Sequence, residues 1–419
     1  MRSPHSNENA PASISEREFM FVVASIMSLM ALGIDVPLPA FPLMREAYGL
    51  PPGSSEIGQS IIYYMLGASF PQLLFGPLSD RFGRRAVTLL GLGIYLAGAV
   101  WSALADSLPV LLVGRLFWGI GAGAMRVMAT AMTRDRFEGD RMARFMSVVF
   151  ALFVIVPVLA PSVGAGMLLW FPWRSVYWLC AVVAVLNLVW VYVRLPETIA
   201  VGRRQSLQLG PVWRTMVQVV SCRLTLVHTL AVTLLMGTFS FYLSTVELLV
   251  GDVFARQAQL PVIFGVTVGG GSLGSLVNGA LIRYRGLNWV NKRLLVVFGL
   301  STAYLALVTV QAGGHPGFWV WYPAQMLAIC GYLLLSSNFR TVALIPMGEV
   351  AGTAAAVTGA MSATGAALLA LGLERTWDGT TRPMSYAWFG AALLVVLLLS
   401  TQRKAHPAAA DGQGKAVVG

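Results

Sequence analysis

Runs of about 20 apolar residues recur along almost the whole chain and constrain its fold more than any other feature. A segment of this length crosses a bilayer as a helix, because a helix satisfies its own backbone hydrogen bonds where water is absent. Hydrophobic residues make up 57% of the 419 residues and charged residues only 11%, against about 25% in soluble domains. The sequence therefore predicts an all-α membrane protein.

Polar breaks divide the apolar sequence into twelve predicted spans, and the longest break follows the sixth. The predicted spans cover about residues 19–41, 57–79, 86–104, 110–133, 144–168, 173–195, 223–248, 259–282, 293–311, 317–343, 351–373 and 384–401. Two sets of six predict two pseudo-symmetric six-helix bundles. Many transporters built from such repeats bind their substrate between the halves near the bilayer midplane.

The same breaks predict five regions along the chain. These are a tail (1–18), a first six-helix bundle (19–195), a linker (196–222), a second six-helix bundle (223–401) and a second tail (402–419). On one side of the predicted membrane, the connecting segments hold only Arg45, Arg174, Arg256, Arg375 and Arg382. The other connecting segments are rich in arginine and lysine, and short loops of that kind remain in the cytoplasm. Both termini and the linker are therefore predicted to be cytoplasmic.

The net charge of +11 follows from this topology, because the basic residues are divided among loops and are not gathered with aromatic residues. A nucleic-acid partner is therefore not expected. The three cysteines and four histidines are scattered, which predicts neither a disulfide framework nor a metal site. No nucleophile, base and acid form a recognisable set, so the sequence does not predict an enzyme.

The stretch GGGSLG (269–274) has the glycine spacing of a dinucleotide-binding fingerprint. That fingerprint follows a strand and opens a helix. Here it lies inside an apolar run, so we predict that these glycines serve helix packing and that the protein has no cofactor.

The break after the second predicted span reads GPLSDRFGRR, residues 76–85. Its glycines permit a tight turn at a helix end, and its aspartate can pair with neighbouring arginines. Positive charge alone would hold a loop in the cytoplasm without requiring this residue order. The residue order is therefore more specific than positive charge requires.

GPLSDRFGRR resembles the signature loop of the major facilitator superfamily, and the resemblance implies a gating role for Gly76, Asp80, Arg81, Gly83 and Arg84. Four more stretches resemble motifs of its drug–proton antiporters with twelve spans: GIDVPLPAFP (33–42), GRLFWGIGAGA (114–124), VPVLAPSVGAGM (156–167) and PMGEVAGTAAAVTGA (346–360). The last is similar to a segment of the Bcr/CflA-like branch. The resemblance implies a multidrug exporter of the bacterial inner membrane. Such a protein works by alternating access and uses the proton gradient as its energy source.

The fifth predicted span contains Pro157, Pro161 and Gly164. Proline interrupts the backbone hydrogen bonds of a membrane helix, and small residues let two helices approach closely. These residues predict a bent helix packed tightly against a partner. The resemblance assigns the same segment to the antiporter motif.

Asp35 and Arg115 are charged residues inside the first and fourth predicted spans. Each lies about 8–9 Å below the outer end of its span at 1.5 Å per residue. A charge at a helix centre costs about 2.5–3.5 kcal/mol on insertion scales, so such residues usually face water or a partner. We expect an ion pair, direct or through water. It would serve proton coupling or substrate gating, with Asp35 as the proton carrier, or it would be a static bridge.

Arg126 follows Arg115 by eleven residues, so the two side chains project within about 20° of each other on one helix face. We predict that Arg126 points into a hydrated cavity between the halves; snorkelling to the inner surface is the alternative. A cation in the cavity disfavours cationic drugs and favours an anion, a phenolate or a compound rich in polar acceptors.

Glu247 lies near the outer end of the seventh predicted span. It is expected to be a second proton carrier, a partner for Arg115, or a solvated residue at the rim. Further polar residues are expected either to line the cavity or to join helices by hydrogen bonds: Tyr63, Tyr64, Gln72, His228, Tyr242, Asn278 and Asn338.

The sequence thus predicts a monomeric transporter whose partners are the lipid bilayer, protons and a small hydrophobic or amphipathic compound that it exports. A specific metabolite or siderophore exporter, or an importer of the same fold, remains open. So does a membrane receptor or scaffold that binds without transport. The charge and identity of the substrate are not determined at this stage.

Overall fold

The computed structural model describes residues 14–69, 71–199 and 210–403, and within these ranges it contains helices and no strand. The α-helices are α1 Glu16–Asp35, α2 Phe41–Ala47, α3 Gln59–Ser69, α4 Pro71–Phe82, α5 Arg84–Leu104, α6 Leu108–Arg136, α7 Gly139–Leu168, α8 Ser175–Arg194, α9 Gly210–Ser221, α10 Arg223–Leu248, α11 Leu260–Arg285, α12 Leu287–Gln311, α13 Phe318–Leu344, α14 Ala351–Glu374 and α15 Arg382–Arg403. Residues 1–13, 200–209 and 404–419, which include most of the predicted tails and the centre of the predicted linker, lie outside the described residues.

Twelve stretches of the described residues are long and apolar enough to cross a membrane, as predicted. The first stretch contains α1 and α2, the second contains α3 and α4, and α9 is not among them. The predicted all-α fold with twelve spans is confirmed. The glycine-rich stretch 269–274 lies inside α11, where a Cβ at Gly271 would meet the side chain of Leu333 on α13. These glycines therefore serve helix packing.

Two connecting segments are more ordered than the sequence suggested. After α1 the chain forms the short turn Leu38–Ala40 and then α2, which carries Arg45 into the protein interior. The second half of the predicted linker forms α9, which packs against α14 and α10 with Val219 fully buried. Polar breaks in a hydropathy pattern locate the ends of spans, but they do not show whether the intervening chain is helical.

The helices form two halves, α1–α8 and α10–α15. The halves meet where α3 packs on α14 and where α7 packs on α11. Arginines stand at many helix ends on one side of the bundle, which we call the basic end: Arg84, Arg136, Arg194, Arg223 and Arg285. The other side, where α2 and α10 end and α3 begins, is called the opposite end.

Within the first half, α3 and α6 approach so closely that only glycine fits at their crossing. A Cβ at Gly67 would collide with the backbone oxygen of Leu116, and a Cβ at Gly119 would collide with the backbone oxygen of Tyr64. Such close approach replaces the hydrophobic driving force that is absent between helices in lipid. The crossing fixes α6, which carries both Arg115 and Arg126.

Gly67→Ala is expected to lower the melting temperature of the purified protein in detergent by several degrees, since overpacking costs about 1–3 kcal/mol. The matched control is Gly93→Ala on α5, where a Cβ would meet no atom within 4 Å. Alanine is the better helix former, so this control should keep or raise the melting temperature. Equal melting temperatures for the two variants would contradict the proposed close packing.

Candidate functional site

A cavity of about 630 Å³ lies between the two halves and extends from the middle of the bundle toward the basic end. Its wall includes residues of α4 and α6 from the first half and of α10, α13 and α14 from the second. The residues singled out from the sequence that line it are Gln72, Gly76, Asp80, Arg84, Arg126 and His228. Arg126 is exposed in this cavity although it lies well inside α6.

The opposite end of the bundle is closed by buried polar contacts between the halves. Arg45 Nη2 of α2 lies 2.7 Å from Glu247 Oε2 of α10, and the two residues are only 6% and 1% exposed. On α14, the Glu374 carboxylate accepts hydrogen bonds from the Ser55 hydroxyl and, at 2.9 Å, from Gln59 Nε2. These contacts, which we call the polar seal, join the halves at one end while the cavity separates them toward the other.

Glu247 therefore occupies a different environment from those expected. It neither lines the cavity nor contacts Arg115, and its burial excludes a solvated position at the rim. Arg45 lies in a predicted connecting segment, and its pairing with Glu247 was not predicted. Arg45 and Glu247 each lie near the same end of the first span of their half. This shared depth is the sequence feature from which their pairing could have been predicted.

Arg115 is fully buried inside the first half and does not line the cavity. Its Nη1 donates to the Gly33 carbonyl at 2.7 Å and its Nε donates to the Ser60 carbonyl at 3.0 Å. Its guanidinium carbon lies 4.6 Å from the ring centre of Tyr64 and 4.9 Å from that of Trp118, positions that favour a cation. Arg115 thus ties α6 to α1 and α3.

Asp35 is the last residue of α1 and is 4% exposed. Among the described residues, its side chain has neither a hydrogen bond nor an ion pair, so the expected pair with Arg115 is not formed. The guanidinium of Arg115 instead binds the carbonyl of Gly33, two residues earlier in the same helix. Asp35 is therefore a buried carboxyl group without a counter-ion.

The segment of α7 around Gly164 packs against the residue that follows Asp35. A Cβ at Gly164 would collide with the carbonyl oxygen of Val36, the residue that follows Asp35. The same helix contains Pro157 and Pro161 and packs against α11 of the second half. α7 is thus in contact both with the end of α1 and with the other half of the protein.

Five other polar residues, which were expected either to line the cavity or to join helices by hydrogen bonds, do not line it. Tyr64 is buried beside Arg115, and Tyr63 is half-buried. Tyr242 is 1% exposed, and its hydroxyl has no hydrogen-bond partner among the described residues. Asn338 accepts a 2.9 Å hydrogen bond from Asn278 within the second half. Polar side chains in membrane helices commonly pair with one another in this way.

The GPLSDRFGRR stretch forms an ionic network at the basic end. Arg84 Nη1 lies 2.7 Å from Asp80 Oδ1, and Arg84 Nε lies 2.8 Å from Asp135 Oδ2 on α6. The backbone N–H of Arg84 also donates to Glu197 Oε1 at 2.8 Å. The network joins α4, α5, α6 and the segment after α8.

The remaining residues of this stretch have distinct places. Gly83 has a φ of +98°, a conformation that favours glycine, and it separates α4 from α5. Gly76 lines the cavity. The Arg81 guanidinium lies 5.1 Å from the ring centre of Phe82 and has no ion pair among the described residues.

Glu247→Gln is expected to open the opposite end, because leaving one partner of a buried ion pair unpaired costs about 3–5 kcal/mol. The reporter is Ser244→Cys in a background with the three native cysteines replaced by serine. Ser244 is 2% exposed and lies against Gly58 of the other half. Labelling of this cysteine by a polar maleimide in nanodiscs should become several-fold faster. The control is Glu56→Gln, which removes an exposed carboxylate at the same end and should leave the labelling rate unchanged. An unchanged labelling rate in Glu247→Gln would contradict the proposed role of the Arg45–Glu247 pair.

Residues 23–370 of the chain match the family model described as "Major Facilitator Superfamily". The chain is 26% identical over 344 residues to "Uncharacterized MFS-type transporter YdgK" of Bacillus subtilis (strain 168), covering 81% of this chain and 84% of that protein. It is 24% identical over 382 residues to "Bicyclomycin resistance protein homolog" of Haemophilus influenzae, covering 91% and 94%. It is 32% identical over 180 residues to "Multidrug resistance protein MdtL" of Escherichia coli O81, covering 43% and 46%.

Solved structures share the fold at low sequence identity. A D-xylose-proton symporter has a TM-score of 0.70 at 13% identity, covering 91% of this chain and 97% of its own. The human organic anion transporter MFSD10 (TETRAN) has a TM-score of 0.61 at 20% identity, covering 92% and 100%. The family model covers most of the chain and these folds agree with it, so the chain belongs to the Major Facilitator Superfamily of membrane transporters.

Proposed function

We propose that this transporter exports small hydrophobic or amphipathic compounds in exchange for protons, from the cytoplasm of a bacterium across its inner membrane. The observation that carries the proposal is the cavity between the halves, which extends toward the basic end while the polar seal closes the opposite end. In transporters built from repeats, rocking of the halves moves the opening from one side of the membrane to the other.

Two further observations support the direction of transport. Short loops rich in arginine and lysine favour the cytoplasmic side, so the cavity would open to the cytoplasm. A drug exporter takes its cargo from that side or from the adjoining leaflet. The names of two relatives, a bicyclomycin resistance protein homolog and a multidrug resistance protein, agree with export of such compounds.

Asp35 is the proposed proton carrier. A buried carboxylate that lacks a counter-ion or donor is far more costly than the neutral acid, so binding of a proton is favoured at this site. The carboxyl group lies at the end of α1, close to the contact between Val36 and Gly164 of α7. A change in its charge would therefore act on α7, the helix that packs against α11 in the second half.

Arg115 has a positioning role in this proposal. By binding the carbonyls of Gly33 and Ser60 it fixes the last turns of α1 relative to α3 and α6. Asp35 is thereby held in place while its own carboxyl group remains free of a partner. The cation and the acid act through a common helix and not through a direct ion pair.

The network of Arg84 with Asp80 and Asp135 is proposed to control closure at the basic end. Asp80 and Arg84 line the cavity, and α4 packs on α14 of the second half. Closing the cavity would bring the network nearer to α14. The rigidity of the network would let the first half move as one body.

Asp35→Asn is expected to abolish proton-driven transport while leaving the melting temperature unchanged or higher, because the isosteric amide removes the buried acid. The assay measures accumulation of bicyclomycin and a panel of hydrophobic drugs in proteoliposomes under an imposed pH gradient. We expect accumulation to fall at least tenfold. Asp106→Asn, a neutralisation at a carboxylate whose side chain is 96% exposed, is the control and should transport normally. Proton-driven accumulation that survives Asp35→Asn would refute the assignment of Asp35.

A further inference from the structure

Two arginines from different halves line the same cavity. Arg126 projects from α6 of the first half and Arg340 from α13 of the second. Arg126 lies ten residues before the end of α6 at Arg136, so its backbone is about 15 Å from the basic end of that helix. Like charges from the two halves therefore border one cavity.

The described residues offer these two cations no counter-ion. The acidic residue in the described cavity wall is Asp80, and it is already paired with Arg84. Arg340 Nη2 reaches the sulfur of Met236 at 3.6 Å, a weak acceptor. Arg134 lines the same cavity nearer the basic end and adds a third positive charge. The wall of the cavity is therefore electropositive.

A tyrosine adds a neutral donor near the pair. Tyr332 lies within electrostatic range of both Arg126 and Arg340, and its hydroxyl has no hydrogen-bond partner among the described residues. Its ring stacks on Phe239 with the ring centres 4.5 Å apart. Apolar side chains, including Leu73, Val127 and Val232, line the cavity beside the positive charges, an arrangement that suits an amphipathic molecule with an apolar body and an acidic group.

We propose that Arg126 and Arg340 together bind a carboxylate or a similar anionic group of the transported compound. The guanidinium fork matches a carboxylate, and hydrogen bonds between charged groups are stronger than neutral ones. This inference rests on the proposed transport function and specifies its substrate class: amphipathic organic anions. The sequence directed attention to Arg126, whereas no sequence pattern singled out Arg340.

The site also links cargo to closure of the basic end. When the halves approach, Arg126 and Arg340 come closer, and their repulsion grows as the cavity loses water. A bound carboxylate neutralises this repulsion and contacts both halves. The cavity therefore closes more readily around an anion than when it is empty.

The test uses a pair of probes that differ in charge but share one ring system, 1-naphthaleneacetate and 1-naphthaleneacetamide. Their binding is measured by equilibrium dialysis against the full-length protein in phosphatidylcholine nanodiscs, which contain no anionic lipid. Wild type should bind the acetate more tightly. Arg126→Gln and Arg340→Gln should each weaken acetate binding about tenfold or more, as expected for a lost hydrogen bond between charged groups. Binding of the amide should be unchanged.

The control variant is Arg375→Gln, which removes an exposed arginine at the opposite end. It should bind both probes as wild type does. Equal affinity of wild type for the two probes, or acetate binding unaffected by both cavity substitutions, would overturn the anion site. So would complete displacement of the acetate by added phosphatidylglycerol, because the site would then belong to a lipid headgroup.

Proteoliposome transport separates this inference from the function on which it rests. If the neutral amide and other drugs are moved by the proton gradient with no preference for the acetate, export stands and the anion site fails. If the acetate binds in an arginine-dependent manner but no compound is moved by the gradient, the anion site stands and proton-driven export fails. Arginine-dependent transport of the acetate supports both.

Discussion

The free energy required to bury charge away from water governs the arrangement of this transporter. Glu247, Arg115 and Arg126 each have an environment that offsets this cost. Glu247 is neutralised by Arg45 at the opposite end, and Arg115 is surrounded by backbone carbonyls and aromatic rings. Arg126 is exposed in the cavity. Asp35 has no such compensation among the described residues, and for that reason we propose it as the proton carrier.

These environments divide the molecule along its length. At the opposite end the charges are paired and dry, so they hold the halves together. Toward the basic end the cavity cations lack acidic partners among the described residues, and the cavity lies between the halves. Between the two regions lies α7, which contacts the end of α1 and packs on α11. In our proposal, a proton at Asp35 acts on α7, and an anion at Arg126 and Arg340 acts on the cavity between the halves.

The sequence was sufficient for the architecture and for part of the site. Hydropathy alone located the twelve spans, because the bilayer demands long apolar helices. Helical periodicity placed Arg115 and Arg126 on one face, yet one is buried within its own half and the other lines the cavity. Periodicity gives the direction of a side chain but not the helix opposite to it. The Arg45–Glu247 pair spans 202 positions and depends on how the halves dock, which no local pattern records.

Spin-label distances across the halves show whether the two ends open and close in opposition. One label pair, at positions 56 and 378, reports on the opposite end, and another, at positions 138 and 284, reports on the basic end; all four native residues are exposed. Distances are measured by pulsed electron resonance in nanodiscs, before and after a change of pH or addition of a transported compound. We predict that the second distance shortens as the first lengthens. Distances that change together, or that never change, would contradict the account.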